Sequence, residues 1–226
     1  MIDGASLRLL AITDNLRDGV DGLVARAKAA RRGGATMIHI RLSDESARTV
    51  ARVARALTAA VDAPVIVHRR VDVAMAAGAA GVHLGVNDIA VADVRRIAGN
   101  SFVIGRSAGG EDEVRHAAAA DYVAIGPVFP LGDRRPEAAL GLSEFERLAR
   151  IASVPVIAIG GISPATAARA VAAGASGVAL ISGIFGSTNP EAATREVRSA
   201  IGIRRRAPPI RARRAGDRCA SSVVAA

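Results

Sequence analysis

Tryptophan is absent from these 226 residues, tyrosine occurs once, and aromatic side chains make up 2% of the chain. Small aliphatic side chains must therefore fill the core. The same scarcity argues against an aromatic platform for stacking nucleic-acid bases. The single cysteine, Cys219, excludes an internal disulfide framework and any cysteine-rich zinc or iron–sulfur site. It sits in a basic C-terminal stretch with no organised base nearby, so it is not expected to act as a nucleophile. No apolar run approaches the ~20 residues of a membrane span. No basic region precedes the N-terminal apolar stretch, so no signal peptide is expected and the cytoplasm is the expected compartment.

Lysine is almost missing as well: Lys28 is alone among 30 basic residues, and the formal net charge is +9. Much of that excess lies in residues 203–226, which carry seven Arg against Asp217. The chain therefore divides into a nearly balanced body, 1–202, and a basic tail, 203–226, expected to be flexible. A basic tail is compatible with nucleic acid or anionic lipid. The body offers no basic stripe to support it, so neither a nucleic-acid nor a membrane partner is expected.

Eight short apolar runs recur, at 7–14, 35–41, 64–69, 81–85, 102–107, 122–129, 155–160 and 177–182. Most are continuous rather than alternating, as strands buried on both faces require. Between them lie Ala- and Arg-rich stretches of helical period, at 18–32, 45–60, 72–78, 90–97, 111–119, 143–151, 164–173 and 188–202. Ser43, Ser143 and Ser163-Pro164 read as helix starts, and Gly33-Gly34 and Gly174 as stops. Strict alternation over eight units predicts an α/β protein, a (β/α)8 TIM barrel, in one domain over 1–202. A doubly wound sheet is the alternative, but TDNLRDG after the first strand has no GxGxxG fingerprint. The non-periodic stretch 130–142 follows strand six and reads as a lid or substrate loop.

In a barrel, residues at strand C-terminal ends face the site. Here these include Asp14, His39, Arg41, His68, Arg69, Asp88, Ser107, Gly160, Gly161 and Ser182. His39 and Arg41 alternate along one strand and point the same way. With His68 and Arg69 they would line one mouth as an anion site with proton-moving groups. Arg69 and Arg70 should keep His68 neutral by like-charge repulsion. Gly160 and Gly161 admit close backbone approach and read as a phosphate cradle, with strand eight's LISG supplying further donors. His83, inside VHLG, and His116, in a helix, read as structural or surface residues.

VDVAMAAGAAGVHLG (71–85), DYVAIGPVFP (121–130), VPVIAIGGIS (154–163) and AGASGVALISGI (173–184) together carry a resemblance. The chain resembles the thiamine phosphate synthase and thiazole tautomerase family over about residues 7–186. AITD (11–14) and IHIR (38–41) match that family's first two strands in outline. The resemblance implies a (β/α)8 barrel, often a homodimer, and a small-molecule ligand carrying a thiazole phosphate. Residue by residue it assigns Gly160, Gly161, Ile181 and Ser182 to the thiazole phosphate, Arg41 to a diphosphate, and Ser107 to the serine after strand five. It assigns Asp88 to a magnesium ion.

Other positions depart from the synthase pattern. His39 stands where the synthase branch has Gln, and Ser43 where it has Lys. His68-Arg69 replaces an Asn-Asp pair, which puts a positive charge in place of a metal carboxylate. Leu131-Gly132-Asp133-Arg134 replaces Thr-x-Thr-Lys. These losses favour the tautomerase branch, which moves a proton without a metal cofactor, with His68 as proton carrier and His39 assisting. A histidine of one tautomerase pattern falls at Pro127, so the match is incomplete. The alternatives are the synthase proper, needing Mg2+ and using Arg69 and Arg134 for lost contacts, and a phosphate-ligand binding or regulatory protein without turnover.

Overall fold

A computed structural model describes residues 3–131 and 139–202. Eight strands close into a barrel in sequence order, β1 (Leu9–Ile12), β2 (Met37–Ile40), β3 (Val65–His68), β4 (Gly81–Leu84), β5 (Val103–Ala108), β6 (Tyr122–Ile125), β7 (Val156–Ile159) and β8 (Gly177–Leu180), with β8 pairing back onto β1. Every pair is parallel, and five strands are buried at every residue. Burial on both faces explains why they read as apolar runs without alternation. The (β/α)8 expectation holds.

The outer ring is α1 (Gly19–Gly33), α2 (Ala47–Ala60), α3 (Val71–Ala76), α4 (Val91–Ala98), α5 (Glu111–His116), α6 (Gly141–Ile151), α7 (Pro164–Ala172), α8 (Ser182–Phe185) and α9 (Pro190–Ile201). Among the described residues no helix is long and apolar enough to cross a membrane. Two starts differ from expectation. The α2 cap is Ser46, whose Oγ accepts from the Thr49 N–H at 3.2 Å, while Ser43 lies in a turn closed by the Glu45 N–H on the Leu42 carbonyl. Helix α6 begins at Gly141, two residues before Ser143. Its start is tied down by Leu140 and Gly141 N–H groups donating to Pro127 and Val128 carbonyls at 2.9 and 3.0 Å. Ser163 caps α7 in a full capping box with Thr166, and Gly34 closes α1 in the left-handed region. The short α8 was not anticipated.

The core has two layers. Apolar residues between strands and helices form the larger one, with Leu23, Ile38, Val53, Phe145 and Phe185 buried. A smaller cluster fills the barrel interior, including Leu10, Met37, Ile66, Tyr122 and Ile157. The period of two along a strand then fixes what lies above it. Met37 inside implies His39 inside, and Ile66 inside implies His68 inside. The lid reading of 130–142 lies partly outside the described residues, at 132–138, and the tail 203–226 with Cys219 lies wholly outside them.

Candidate active site

The C-terminal mouth of the barrel opens on a cavity of about 920 Å³. This volume is at the upper end of small-ligand pockets. Its floor is made by His39, His68, His83 and Ser107, from four consecutive strands. Arg41 stands at one side, just past β2. Gly160, Gly161, Ile181, Ser182 and Gly183 form the opposite side, past β7 and β8. Pro127, Pro130 and Leu131 reach in from the segment after β6.

The three imidazoles form one cluster. Ring centroids lie 5.5 Å apart for His39–His68, 5.0 Å for His39–His83 and 6.2 Å for His68–His83. Their closeness follows from register, because His68 pairs with His83 across β3 and β4, and His39 lies opposite Ile66 on β3. His83 is fixed at both nitrogens, with Tyr122 Oη at 3.0 Å from Nδ1 and Ser107 Oγ at 2.9 Å from Nε2. Gly105 makes room for this: a Cβ there would overlap the Tyr122 phenol and the His83 ring. By contrast, His39 Nε2 and His68 Nδ1 are buried without a hydrogen-bond partner among the described residues. An unmet buried polar atom costs about 1–3 kcal/mol, which a ligand atom or water can remove.

All three imidazoles are held neutral. Burial, before the surrounding charges, pushes His39 well below its ordinary value, and His83, His68 and Arg41 add to it. His68 is lowered to about 4, by burial first, then Arg41 and Arg69, against the opposing pull of Asp88. The expected neutrality of His68 is therefore present, but its cause is corrected. Burial dominates, and Arg70 plays no part because its guanidinium is turned onto Asp72, with Nε 2.9 Å from Oδ1. His83 is lowered to about 3, by burial and then His68. Burial raises the Tyr122 phenol, which stays protonated and able to donate.

The glycine side is shaped by backbone. Gly160 and Gly161 have φ of +87° and +65°, in the region that disfavours side chains. A Cβ on Gly160 would meet Pro127 Cβ at 2.5 Å, and one on Gly161 would meet the Phe129 carbonyl oxygen at 2.6 Å. The Gly161 N–H donates to no acceptor among the described residues. Beside it, α8 opens at Ser182, where the first N–H groups have no partner within the helix. Loops after strands seven and eight with a short extra helix are a recurrent phosphate site of this fold. Arg26 braces it: 9% exposed, it donates to Asp14 Oδ1 at 2.7 Å and to the Phe185 carbonyl at the end of α8 at 3.0 Å. Asp14 is thus a structural partner, outside the cavity wall.

Arg69 and Asp88 do not line the cavity; they meet each other at its rim. Arg69 has φ +64°, the one non-glycine residue with positive φ among those described. Its Nε lies 2.8 and 2.9 Å from the two Asp88 oxygens, its Nη2 2.7 Å from Oδ1. Asp88 Oδ2 also accepts the Gly85 N–H at 2.6 Å. Burial raises the Asp88 carboxyl, but hydrogen bonds from Arg69 and Gly85 outweigh it and hold it below its ordinary value. These donors do not fit the magnesium ion that the family resemblance implies. Both carboxylate oxygens are engaged by a cation, and that cation would repel a second one. No group of three or more His, Cys, Asp or Glu among the described residues is arranged to hold a metal.

The structure thus assembles His39, His68, Arg41, Ser107, Gly160, Gly161, Ile181 and Ser182 around one cavity, and sets Arg69 and Asp88 beside it. Sequence reasoning missed His83, which belongs to the floor. The signal was available: on β4 it sits two residues from Gly81, and Gly105 two strand positions before Ser107 leaves space for a ring. His116 is on the surface of α5, as expected, with Nδ1 2.6 Å from the Asp112 carbonyl oxygen.

The family model described as thiamine monophosphate synthase matches residues 9–184. A thiamine-phosphate synthase of Roseiflexus castenholzii is 42% identical over 191 residues, covering 81% of this chain and 83% of the relative. One from Methanoculleus marisnigri is 41% identical over 181 residues, covering 77% and 86%. The structure of thiamine phosphate pyrophosphorylase from Pyrococcus furiosus superposes with a TM-score of 0.79 at 32% identity, over 88% of this chain and 97% of that one. Matches of this identity over most of both chains go beyond a shared barrel, and the chain belongs to the thiamine monophosphate synthase family.

Proposed function

We propose that the protein is a thiamine-phosphate synthase, joining a hydroxymethylpyrimidine diphosphate to a thiazole phosphate with release of pyrophosphate. The relatives bear that activity in their names, which favours it over the tautomerase reading and over a binder without turnover. The observation that carries it is a single cavity with two unlike ends. One end is a glycine cradle for a phosphate, the other a guanidinium, and neutral imidazoles lie between them.

In this reading Gly160, Gly161 and the start of α8 hold the thiazole phosphate through backbone N–H groups. Arg41, exposed and without an ion-pair partner among the described residues, receives the diphosphate. His39 and His68 offer their unmet ring nitrogens to the polar edge of the pyrimidine, and His83 is locked by Tyr122 and Ser107 as their backing. The ring nitrogen of the thiazole attacks the pyrimidine methylene carbon. The carbon–oxygen bond breaks and its electron pair leaves with pyrophosphate. Positioning both reactants in one cavity supplies much of the rate.

The test is turnover with both substrates, following thiamine phosphate by chromatography and pyrophosphate by a coupled assay. Both should appear in equal amounts, and Arg41→Ala should lower kcat/KM by roughly 10²-fold, about 2.7 kcal/mol of transition-state stabilisation. No product from folded protein overturns the reading. A second reading, proton transfer within a thiazole carboxylate phosphate, is favoured by the two unpartnered neutral imidazoles alone. Proton–deuterium exchange at the thiazole carbon, lost in His68→Gln, would support it.

A further inference from the structure

Arg69 pairs with Asp88 at the place where the family resemblance puts a divalent cation, and Arg41 follows the neighbouring strand. We propose that the guanidinium groups of Arg41 and Arg69, in place of a divalent cation, neutralise the diphosphate as it binds and leaves. This rests on the synthase reading for the identity of the leaving group.

Four observations lead to it. First, Arg41, His68-Arg69 and Asp88 follow three adjacent strands, β2, β3 and β4, so their side chains share one sector of the rim. Second, Arg69 is fixed rather than trailing: its N–H donates to the His83 carbonyl at 2.8 Å, and its side chain is held by Asp88. Third, the Arg69 half of the pair is exposed, while the Asp88 side chain is largely buried. The Arg69 side chain is 54% exposed, and its Nη1 makes no hydrogen bond among the described residues. Donors therefore remain for an anion while Asp88 holds the fork in place. Fourth, both guanidinium groups act electrostatically on His68, which lines the cavity, so their fields converge there.

The chemistry balances without a metal. The thiazole nitrogen supplies the electron pair for the new carbon–nitrogen bond and becomes positively charged. The pair of the broken carbon–oxygen bond goes to the diphosphate, whose added charge falls between two preorganised cations. The released pyrophosphate takes a proton from solvent. Asp88 acts as a positioning residue, setting the direction of Arg69.

Titration calorimetry of the full chain with inorganic pyrophosphate tests this, in EDTA and again in millimolar magnesium. Binding should occur in EDTA and tighten less than threefold with magnesium. Arg69→Gln should weaken it at least tenfold in EDTA. Arg69→Gly, which suits the positive φ, should do the same while leaving the melting temperature equal or higher, so a folding defect is separable. Asp88→Asn should weaken pyrophosphate only modestly. Binding that appears only with magnesium, or that is unchanged in both Arg69 variants, overturns the inference. Turnover distinguishes its failure from that of the synthase reading. Thiamine phosphate formed only with magnesium sinks this inference and keeps the synthase. Metal-independent pyrophosphate binding without any thiamine phosphate keeps the anion site and sinks the synthase.

Discussion

Acid should unfold this protein in a pH window set by the barrel-mouth histidines. In an unfolded chain each would titrate near 6.5, whereas in the fold His68 is lowered to about 4 and His83 to about 3. Above pH 6.5 both states carry neutral imidazoles, and these groups add no pH dependence. As pH falls below that value the unfolded chain takes up protons that the folded chain refuses, so stability drops. The drop continues until the folded values are reached. A fully buried group of this kind costs roughly 2 kcal/mol by pH 5, from a limiting slope of about 1.36 kcal/mol per pH unit. His68 is only partly buried, so solvent screening trims its share. The two together remove roughly 3 kcal/mol between pH 7.5 and 5, and His39 acts in the same direction. That is a large part of the 5–15 kcal/mol typical of a folded domain. The carboxylates held low by arginine partners, such as Asp72 and Asp88, act at lower pH and do not confuse this window. Urea unfolding at pH 7.5, 6.5, 5.5 and 5.0 is the assay. The midpoint should fall by on the order of 1–2 M across the series, and the His39→Gln, His68→Gln double variant should reduce that fall while leaving the share of His83. An unchanged midpoint between pH 7.5 and 5.0 would refute the claim that these rings are kept neutral by the fold.

Two further outcomes follow from the glycine cradle and its brace. Gly161→Ala places a methyl group 2.6 Å from the Phe129 carbonyl oxygen at a φ of +65°, so it should cost about 2 kcal/mol or more and weaken thiazole phosphate at least tenfold by calorimetry. Arg26→Met should cost about 3 kcal/mol in urea unfolding, because Asp14 and the Phe185 carbonyl lose a buried charged donor. A loss below 1 kcal/mol would mean that Arg17, whose Nη2 is 3.0 Å from the same carbonyl, carries the brace alone.

The strands were legible because a parallel barrel buries both faces of each one, and runs such as PVIVH and YVAI have no other use in a chain of this size. The same property hid the site. Where every residue of β4 is buried, hydrophobicity cannot say whether Val82 or His83 faces the axis. Only cross-strand register decides it, and register is a tertiary fact. His39 and Arg41 were placed together correctly because period two ties them within one strand. His83 needed β3 and β5 as well. The helix starts at Ser46 and Gly141 were missed for a related reason. Serine at 43 and 143 has the right chemistry, but a turn at Leu42–Glu45 and bonds from residues 140–141 to the Pro127 segment fix the true starts. Helix α8, four residues long, is too short for any periodic signal.

The polar floor of the barrel is costly by the standards of folding alone. Its lower interior is aliphatic, with Met37 and Ile66 packed beside Tyr122, and the same strands could continue that packing one layer higher. Instead they place His39 and His68 above those residues, each with a buried nitrogen left unmet, and open Gly105 to seat a third ring. Two unmet atoms forgo about 2–6 kcal/mol together. A left-handed Arg69 adds backbone strain of about 1–2 kcal/mol. These departures from good local packing cluster at one end of the barrel, on four neighbouring strands, opposite a glycine cradle that is itself closed to side chains. A ligand whose ring edge satisfies the imidazoles and whose phosphates satisfy the arginines recovers that cost on binding. Folding and recognition therefore compete at the same residues, so replacing His39 and His68 with leucine should raise the melting temperature while abolishing turnover.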